Sequence, residues 1–106
     1  MPANPFIKYF KQTVEQDDGF FPRRSAWGKS AIYYETSEEG FVGRQIQLFE
    51  SGTVLVYDET HNMDDYGMMQ MEPVGRFTPN TTIITSKDFH LVWPRHVDAI
   101  NRQQAG

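Results

Sequence analysis

The chain has 106 residues, the size of one domain with one hydrophobic core, so we interpret residues 1–106 as a single domain. Its net charge is −4. The absence of cysteine excludes a scaffold held together by disulfides, and it predicts a folded protein of a reducing compartment, the cytoplasm. The N-terminus lacks the apolar core of a signal peptide, and no run approaches the ~20 apolar residues that cross a bilayer, so we expect no membrane association.

The acidic residues are concentrated in the first two-thirds of the chain. Residues 15–65 contain eleven acidic and four basic residues, whereas the rest contains three acidic and six basic ones. Nucleic-acid binding needs clustered Lys and Arg to neutralise phosphates, so this distribution argues against a nucleic-acid partner. It suits a cationic protein partner, although acidic loops also keep a small domain soluble.

The N-terminal segment predicts a strand followed by a long loop. In residues 6–14, FIKYFKQTV, the β-branched and aromatic residues favour a strand. A short helix is the alternative, because aromatic residues of the same segment also fall on one helical face. Residues 15–29 contain an Asp-Asp-Gly turn signal and a proline, which indicate a loop.

The middle of the chain predicts an antiparallel meander of three strands. The strands are expected over residues 31–36, 41–50 and 53–58, joined by short turns. Gly52 supplies the positive φ that the second turn needs. The return strand, TVLVYD, is rich in β-branched residues, which strengthens this assignment.

Alternation assigns the side chains of this meander to two faces. Val42, Ile46 and Leu48 are expected on one side of the sheet. The residues of the other parity are Phe41, Phe49, Leu55 and Tyr57. Both faces are therefore partly apolar, so the face that no helix covers needs either loops of this chain or a partner protein.

The last third of the chain predicts two short strands and a helix. The strands are expected over residues 67–72 and 81–85. Thr85 is the expected N-cap, with Asp88 as its capping-box partner, so the helix begins at Ser86.

Apolar residues at helical spacing would let this helix cover one face of the sheet. They are Phe89, Val92 and Trp93. Pro94 ends or kinks the helix, residues 97–100 suit a second short helix, and residues 102–106 should fray. Together the elements predict an α+β fold, with an antiparallel sheet of four to six strands and a C-terminal helix packed on one face.

No catalytic or metal-binding motif stands out. The three histidines lack the spacing of a zinc motif, and the acidic run after the meander lacks the order of an EF-hand. Phosphate-binding loops and nucleophile elbows are also absent. We therefore predict no enzyme activity, no cofactor and no metal. His61, which lies between Glu59 and Asp64, is the one arrangement in which a hydrolase would place a base beside carboxylates.

The acidic loop after the meander is the predicted binding site for a protein partner. A rigid hairpin holds this loop, and folding alone does not explain its charge. The predicted contact residues are Asp58, Glu59, Asp64, Asp65 and Tyr66. Carboxylates supply attraction to a basic partner, and a tyrosine supplies a contact of large area.

Two groups of large apolar residues have both a core and a recognition interpretation. The first group is Met63, Met68, Met69 and Met71, which either fill the core or form an adaptable surface. The second is Phe20, Phe21 and Trp27, which either cover the second face of the sheet or anchor a partner. A pocket around Trp27, Tyr33 and Tyr34 would instead indicate a small-molecule or regulatory binding module.

Two segments carry a family resemblance: the hairpin VGRQIQLFESG at residues 42–52 and the terminal ITSKDFHLVW at residues 84–93. Through them, residues 31–93 resemble a family of small bacterial domains of unknown function. The resemblance implies the order strand, hairpin, return strand, variable segment and terminal helix. In size and genomic style that family resembles immunity proteins of bacterial toxin systems, including contact-dependent growth inhibition. No functional residue is carried over.

The leading hypothesis is therefore an immunity protein that binds and neutralises a cognate bacterial toxin domain. A nuclease must attract phosphate, so its active cleft is positive, and an acidic surface would cover such a cleft. The alternative is the small-molecule or regulatory binding module.

Overall fold

The part of the chain that the structure describes folds as a five-stranded antiparallel sheet with one helix. The computed structural model describes residues 6–15, 27–64, 66–74 and 80–93. The elements are β1 (Phe6–Val14), β2 (Ser30–Ser37), β3 (Val42–Phe49), β4 (Val54–Asp58), β5 (Thr81–Ile84) and α1 (Ser86–Val92). The strand order is β4-β3-β2-β1-β5. The predicted α+β fold is confirmed.

The first segment is a strand because it has partners on both sides. β1 pairs with β2 along one edge and with β5 along the other, both antiparallel. The three meander strands lie within one residue of their predicted bounds at each end. Gly52 has the expected positive φ, at 92°.

The helix begins where the sequence predicts. The hydroxyl of Thr85 accepts from the backbone N–H of Asp88 at 3.1 Å, and the Asp88 carboxylate accepts from the backbone N–H of Thr85 at 3.2 Å. Phe89 is fully buried, and its ring lies 5.5 Å from that of Tyr9 on β1. The predictions for Pro94 and for residues 97–100 and 102–106 lie outside the described residues.

A bulge in β3 places Val42 on the unexpected face. Glu35 pairs with Arg44 but Thr36 pairs with Val42, so Gly43 is an extra residue in the ladder. One extra residue shifts the alternation, and Val42 joins the buried cluster on the face opposite α1. The prediction that Val42 lines up with Ile46 and Leu48 is therefore wrong. The bulge occurs at a glycine because a Cβ at Gly43 would lie 2.6 Å from the ring of Phe6.

The strand predicted over residues 67–72 is absent. That stretch makes one isolated bridge, between Met63 and Met68. The Gln45 side chain on β3 accepts from the backbone N–H of Gln70 at 2.7 Å and donates to the carbonyl of Met68 at 3.3 Å. A side chain of the sheet therefore satisfies backbone groups that the prediction assigned to a neighbouring strand. We call residues 59–64 and 66–74 the cover segment.

The cover segment packs on the face of the sheet that α1 leaves open. The buried cluster there consists of Ile32, Tyr34, Val42, Phe49, Leu55, Tyr57, Met69 and Val74. Phe10, Val14 and Trp27 pack against it. Loops of the chain itself thus cover the second face, and burial raises the pKa of the Tyr34 phenol well above its usual range.

A contact between Gly40 and Val74 fixes the end of the cover segment to the turn between β2 and β3. The backbone N–H of Val74 donates to the Gly40 carbonyl at 2.9 Å. Gly40 has a φ of 96°, and a Cβ there would lie 2.8 Å from the Val74 carbonyl oxygen. Only glycine therefore permits this approach.

Replacing this glycine is expected to destabilise the protein more than replacing Gly52. Both glycines have similar positive φ values, but a Cβ at Gly52 meets nothing within 4 Å. Gly40→Ala adds a backbone clash to the shared conformational cost, so its loss in unfolding free energy should exceed that of Gly52→Ala by about 1–3 kcal/mol. Urea denaturation of the two variants measures the difference, and equal losses would contradict the packing of Val74 on Gly40.

Candidate functional site

Asp58, at the end of β4, closes the turn that starts the cover segment. One oxygen of its carboxylate accepts from the backbone N–H of Thr60 at 2.9 Å, the Thr60 hydroxyl at 2.8 Å and the backbone N–H of His61 at 2.8 Å. Burial acts to raise the pKa of Asp58, but these hydrogen bonds outweigh it and hold the pKa below its ordinary value. The carboxylate therefore shapes the loop.

Asp64 organises the second turn of the cover segment in the same way. One of its oxygens accepts from the backbone N–H groups of Tyr66 and Gly67 at 2.9 and 3.1 Å, and from the Tyr57 hydroxyl at 2.9 Å. Its other oxygen lies 3.3 Å from Nε2 of His61. The loop is thus tied to β4 through a side chain of the strand.

His61 is part of this structural network. Its ring stacks on that of Tyr57, with centroids 5.7 Å apart and planes 6° apart. Its backbone N–H and carbonyl both bond to the backbone of Asp58. Of the two carboxylates that flank His61 in the sequence, that of Asp64 lies against the ring, and this pair helps to fix the shape of the loop.

The other predicted contact residues lie on the outer side of the same loop or outside the described range. Glu59 is exposed. Tyr66 is partly exposed, and its ring lies 5.8 Å from Trp27, which in turn contacts Phe49 at 5.1 Å. Asp65 lies outside the described residues. Folding therefore accounts for the carboxylates of Asp58 and Asp64, and Glu59 carries the charge that folding leaves to solvent.

The topology brings further acidic residues to this end of the sheet. The turn between β2 and β3 carries Glu38 and Glu39, and the antiparallel order places it at the same end as the last residue of β4. The contact between Val74 and Gly40 brings Glu72 to that turn. All three carboxylates belong to exposed residues. The sequence alone does not assign them to this site, because they are distant from Glu59 along the chain.

No Lys or Arg occurs between Arg44 and Arg76 in the sequence, whereas six acidic residues do. Among the described residues, the exposed bases are Lys8 on β1, Lys87 on α1 and Lys29, which directly precedes β2 at the opposite end of the sheet and pairs with Glu15. The surface of the cover segment is thus acidic without compensating positive charge of its own.

A polar cluster under α1, built around the buried carboxylate of Glu35, was not predicted. Arg44 on β3 donates two hydrogen bonds, both 2.7 Å long, to the carboxylate of Glu35 on β2. The Tyr9 hydroxyl donates to the same carboxylate at 3.2 Å. The guanidinium also lies 5.4 Å from the ring centroid of Phe89 and 4.9 Å from that of Trp93. This cluster fastens the helix to the sheet.

His90 completes the cluster from the helix. Its Nδ1 lies 2.8 Å from the Ser86 carbonyl, so Nδ1 carries the proton and donates. Nε2 is then the acceptor for Arg44, at 3.1 Å. Glu35 and Arg44 lie four and three residues from the turn at Glu39–Phe41, which is close to the positions that pair across a regular hairpin. The bulge adds one residue to β3, so the sequence alone does not show that these two residues face each other.

The three aromatic residues of the suggested pocket do not all lie on one face of the sheet. Tyr33 and Tyr34 are consecutive on β2, so their side chains lie on opposite faces of the sheet. Tyr34 is fully buried, and its hydroxyl donates to Gln12 at 2.6 Å. Trp27 packs against Phe49 and Tyr66.

The described residues contain no cluster of three or more metal-ligating side chains. Within the same ranges, no helix has the length and apolar character needed to span a bilayer. Comparison with known proteins adds no relative, since no family model, no curated protein and no solved structure matches the chain.

Proposed function

We propose that this protein is an immunity protein that binds a cognate bacterial toxin domain with a basic active site and neutralises it by covering that site. The observation that carries the proposal is the acidic cover segment, which is held in shape by the carboxylates of Asp58 and Asp64 and whose described residues include no Lys or Arg. A positive cleft attracts such a surface, and the attraction accelerates association.

The inward bonds of Asp58 and Asp64 support this proposal through preorganisation. The carboxylates of Asp58 and Asp64 accept hydrogen bonds from backbone N–H groups, so the loop is already ordered before the partner binds. Ordering a flexible loop would cost part of the binding free energy. The exposed carboxylates of Glu38, Glu39, Glu59 and Glu72 are then available for the partner.

Charge reversal of exposed acids is expected to slow binding to the cognate toxin. The double variant Glu59→Lys/Glu72→Lys should lower the association rate constant on the order of tenfold at low salt, and should make it less dependent on ionic strength. Stopped-flow kinetics at several salt concentrations provides the measurement.

A control variant far from the cover segment makes that result specific. Glu15→Lys changes an exposed acid at the opposite end of the sheet, so one such reversal should leave the rate constant within about twofold. Asp64→Lys is avoided because it would remove the bonds that shape the loop. Equal effects of Glu59→Lys alone and Glu15→Lys alone would show that net charge, and not this surface, drives association.

A further inference from the structure

The outer side of the cover segment carries exposed methionines. Met63 is 62% exposed and Met71 is 64% exposed, whereas Met69 between them is 8% exposed and lies in the core. Folding thus uses one of these side chains and leaves two in water. A methionine side chain is flexible and polarizable, so exposed methionines adapt their shape to an apolar partner surface.

The geometry places these two methionines at a separation that a short helix spans. Met63 forms an antiparallel bridge with Met68, which lies three residues before Met71. Their Cα atoms are therefore at most about 16 Å apart, given the reach of three residues and the spacing of bridged strands. A helix rises 1.5 Å per residue, so roughly three turns cover that distance.

The charge around the methionines determines what kind of helix fits. Glu59 and Glu72 are exposed in the same segment, and the stretch between Arg44 and Arg76 has no Lys or Arg. A second copy of the chain would bring acidic residues against acidic residues, and a nucleic acid or an anionic bilayer would be repelled. An apolar stripe flanked by Lys or Arg satisfies both the methionines and the carboxylates.

We propose that the cover segment is the docking surface for a basic amphipathic helix of the partner, with Met63 and Met71 contacting its apolar stripe. This inference rests on the proposed function and specifies which part of the partner is bound. The methionines supply contact area, and Glu59 and Glu72 select for positive charge.

A synthetic peptide tests the docking surface without the toxin. The probe is an 18-residue helix of Leu and Lys with leucines in one stripe, titrated into protein whose methionine methyl groups carry ¹³C. The methyl resonances of Met63 and Met71 should shift most and that of Met69 least. Met63→Ser/Met71→Ser should raise the Kd of the peptide at least about tenfold, as expected for the loss of two apolar contacts.

Matched variants and peptides decide the result. Ile83→Ser/Leu91→Ser removes two other exposed apolar side chains, 82% and 57% exposed, and should leave the Kd within about twofold. A scrambled peptide without the stripe and a Leu–Glu peptide should each bind at least about tenfold more weakly. Equal loss in both double variants, or equal binding of the three peptides, would overturn the proposal.

The outcome is separable from that of the proposed function. Peptide binding at Met63 and Met71 without any effect of the chain on a toxin would support the docking surface and reject the immunity role. Toxin neutralisation that is unchanged in Met63→Ser/Met71→Ser would reject the docking surface and leave the immunity role standing.

Discussion

Arg44→Ala is expected to lower the free energy of unfolding by about 3–5 kcal/mol, a large part of the stability of a domain of this size. The side chain of Glu35 is 3% exposed. Among the described residues, Arg44 is the only positively charged side chain that donates hydrogen bonds to it, and both bonds are 2.7 Å long. Among the described residues, removing the guanidinium leaves this buried carboxylate with the hydrogen bond from the Tyr9 hydroxyl at 3.2 Å and with Nε2 of His90 at 3.9 Å. Urea denaturation monitored by circular dichroism measures the loss.

An exposed ion pair provides the control for Arg44. Lys29 and Glu15 lie 3.3 Å apart with both side chains more than 60% exposed, so Lys29→Ala should cost less than about 1 kcal/mol. Adding Glu35→Gln to Arg44→Ala should recover part of the stability, because the uncompensated charge is removed. A cost below about 1 kcal/mol for Arg44→Ala would contradict the role assigned to the cluster.

Gln45→Leu is expected to detach the cover segment from the sheet, at a cost of about 2–3 kcal/mol. The substitution leaves the N–H of Gln70 and the carbonyl of Met68 without the partners that they have in the folded protein. The amide of Gln70, and that of Met69 beside it, should therefore exchange with solvent faster. Hydrogen exchange followed by NMR measures both amides.

Gln47→Leu separates this local effect from a general loss of stability. Gln47 is as buried as Gln45 and lies two residues away on the same face, but its side chain donates to the Ser30 hydroxyl at 2.9 Å. Its replacement should lower the free energy of global unfolding. The exchange protection of the cover-segment amides should fall only by that same amount, with no additional local loss. Matching exchange profiles in both variants would show that Gln45 does not hold the segment.

Locally encoded features of the fold were predictable. The capping box of Thr85 and Asp88 and the turn at Gly52 depend on residues a few positions apart, and both are found as expected. The bulge at Gly43 depends instead on the ring of Phe6, 37 residues away in sequence. Alternation alone therefore assigned Val42 to the wrong face.

The candidate site was predictable in place but not in detail. Residues 67–72 were predicted to form a strand. Their backbone bonds instead to the side chain of Gln45 on β3, and nothing in the sequence of residues 67–72 indicates that distant partner. The structural role of Asp58 and Asp64 did have a local signal, since aspartate often bonds to the backbone two residues on. Both do so here, to Thr60 and Tyr66. The surface acids Glu38 and Glu39 join the site through the sheet order, and the contact between Val74 and Gly40 brings Glu72 close to them.

Growth rescue tests the central claim most directly. Cells that produce the proposed cognate toxin domain, to be sought in the gene next to that of this chain, should grow when they also produce this chain, and should grow poorly when they produce the Glu59→Lys/Glu72→Lys variant at the same level. Both side chains are exposed, so the variant should fold like the wild-type chain, and a thermal unfolding curve checks this. Absence of rescue by the wild-type chain, or equal rescue by the variant, would contradict neutralisation through the acidic cover segment.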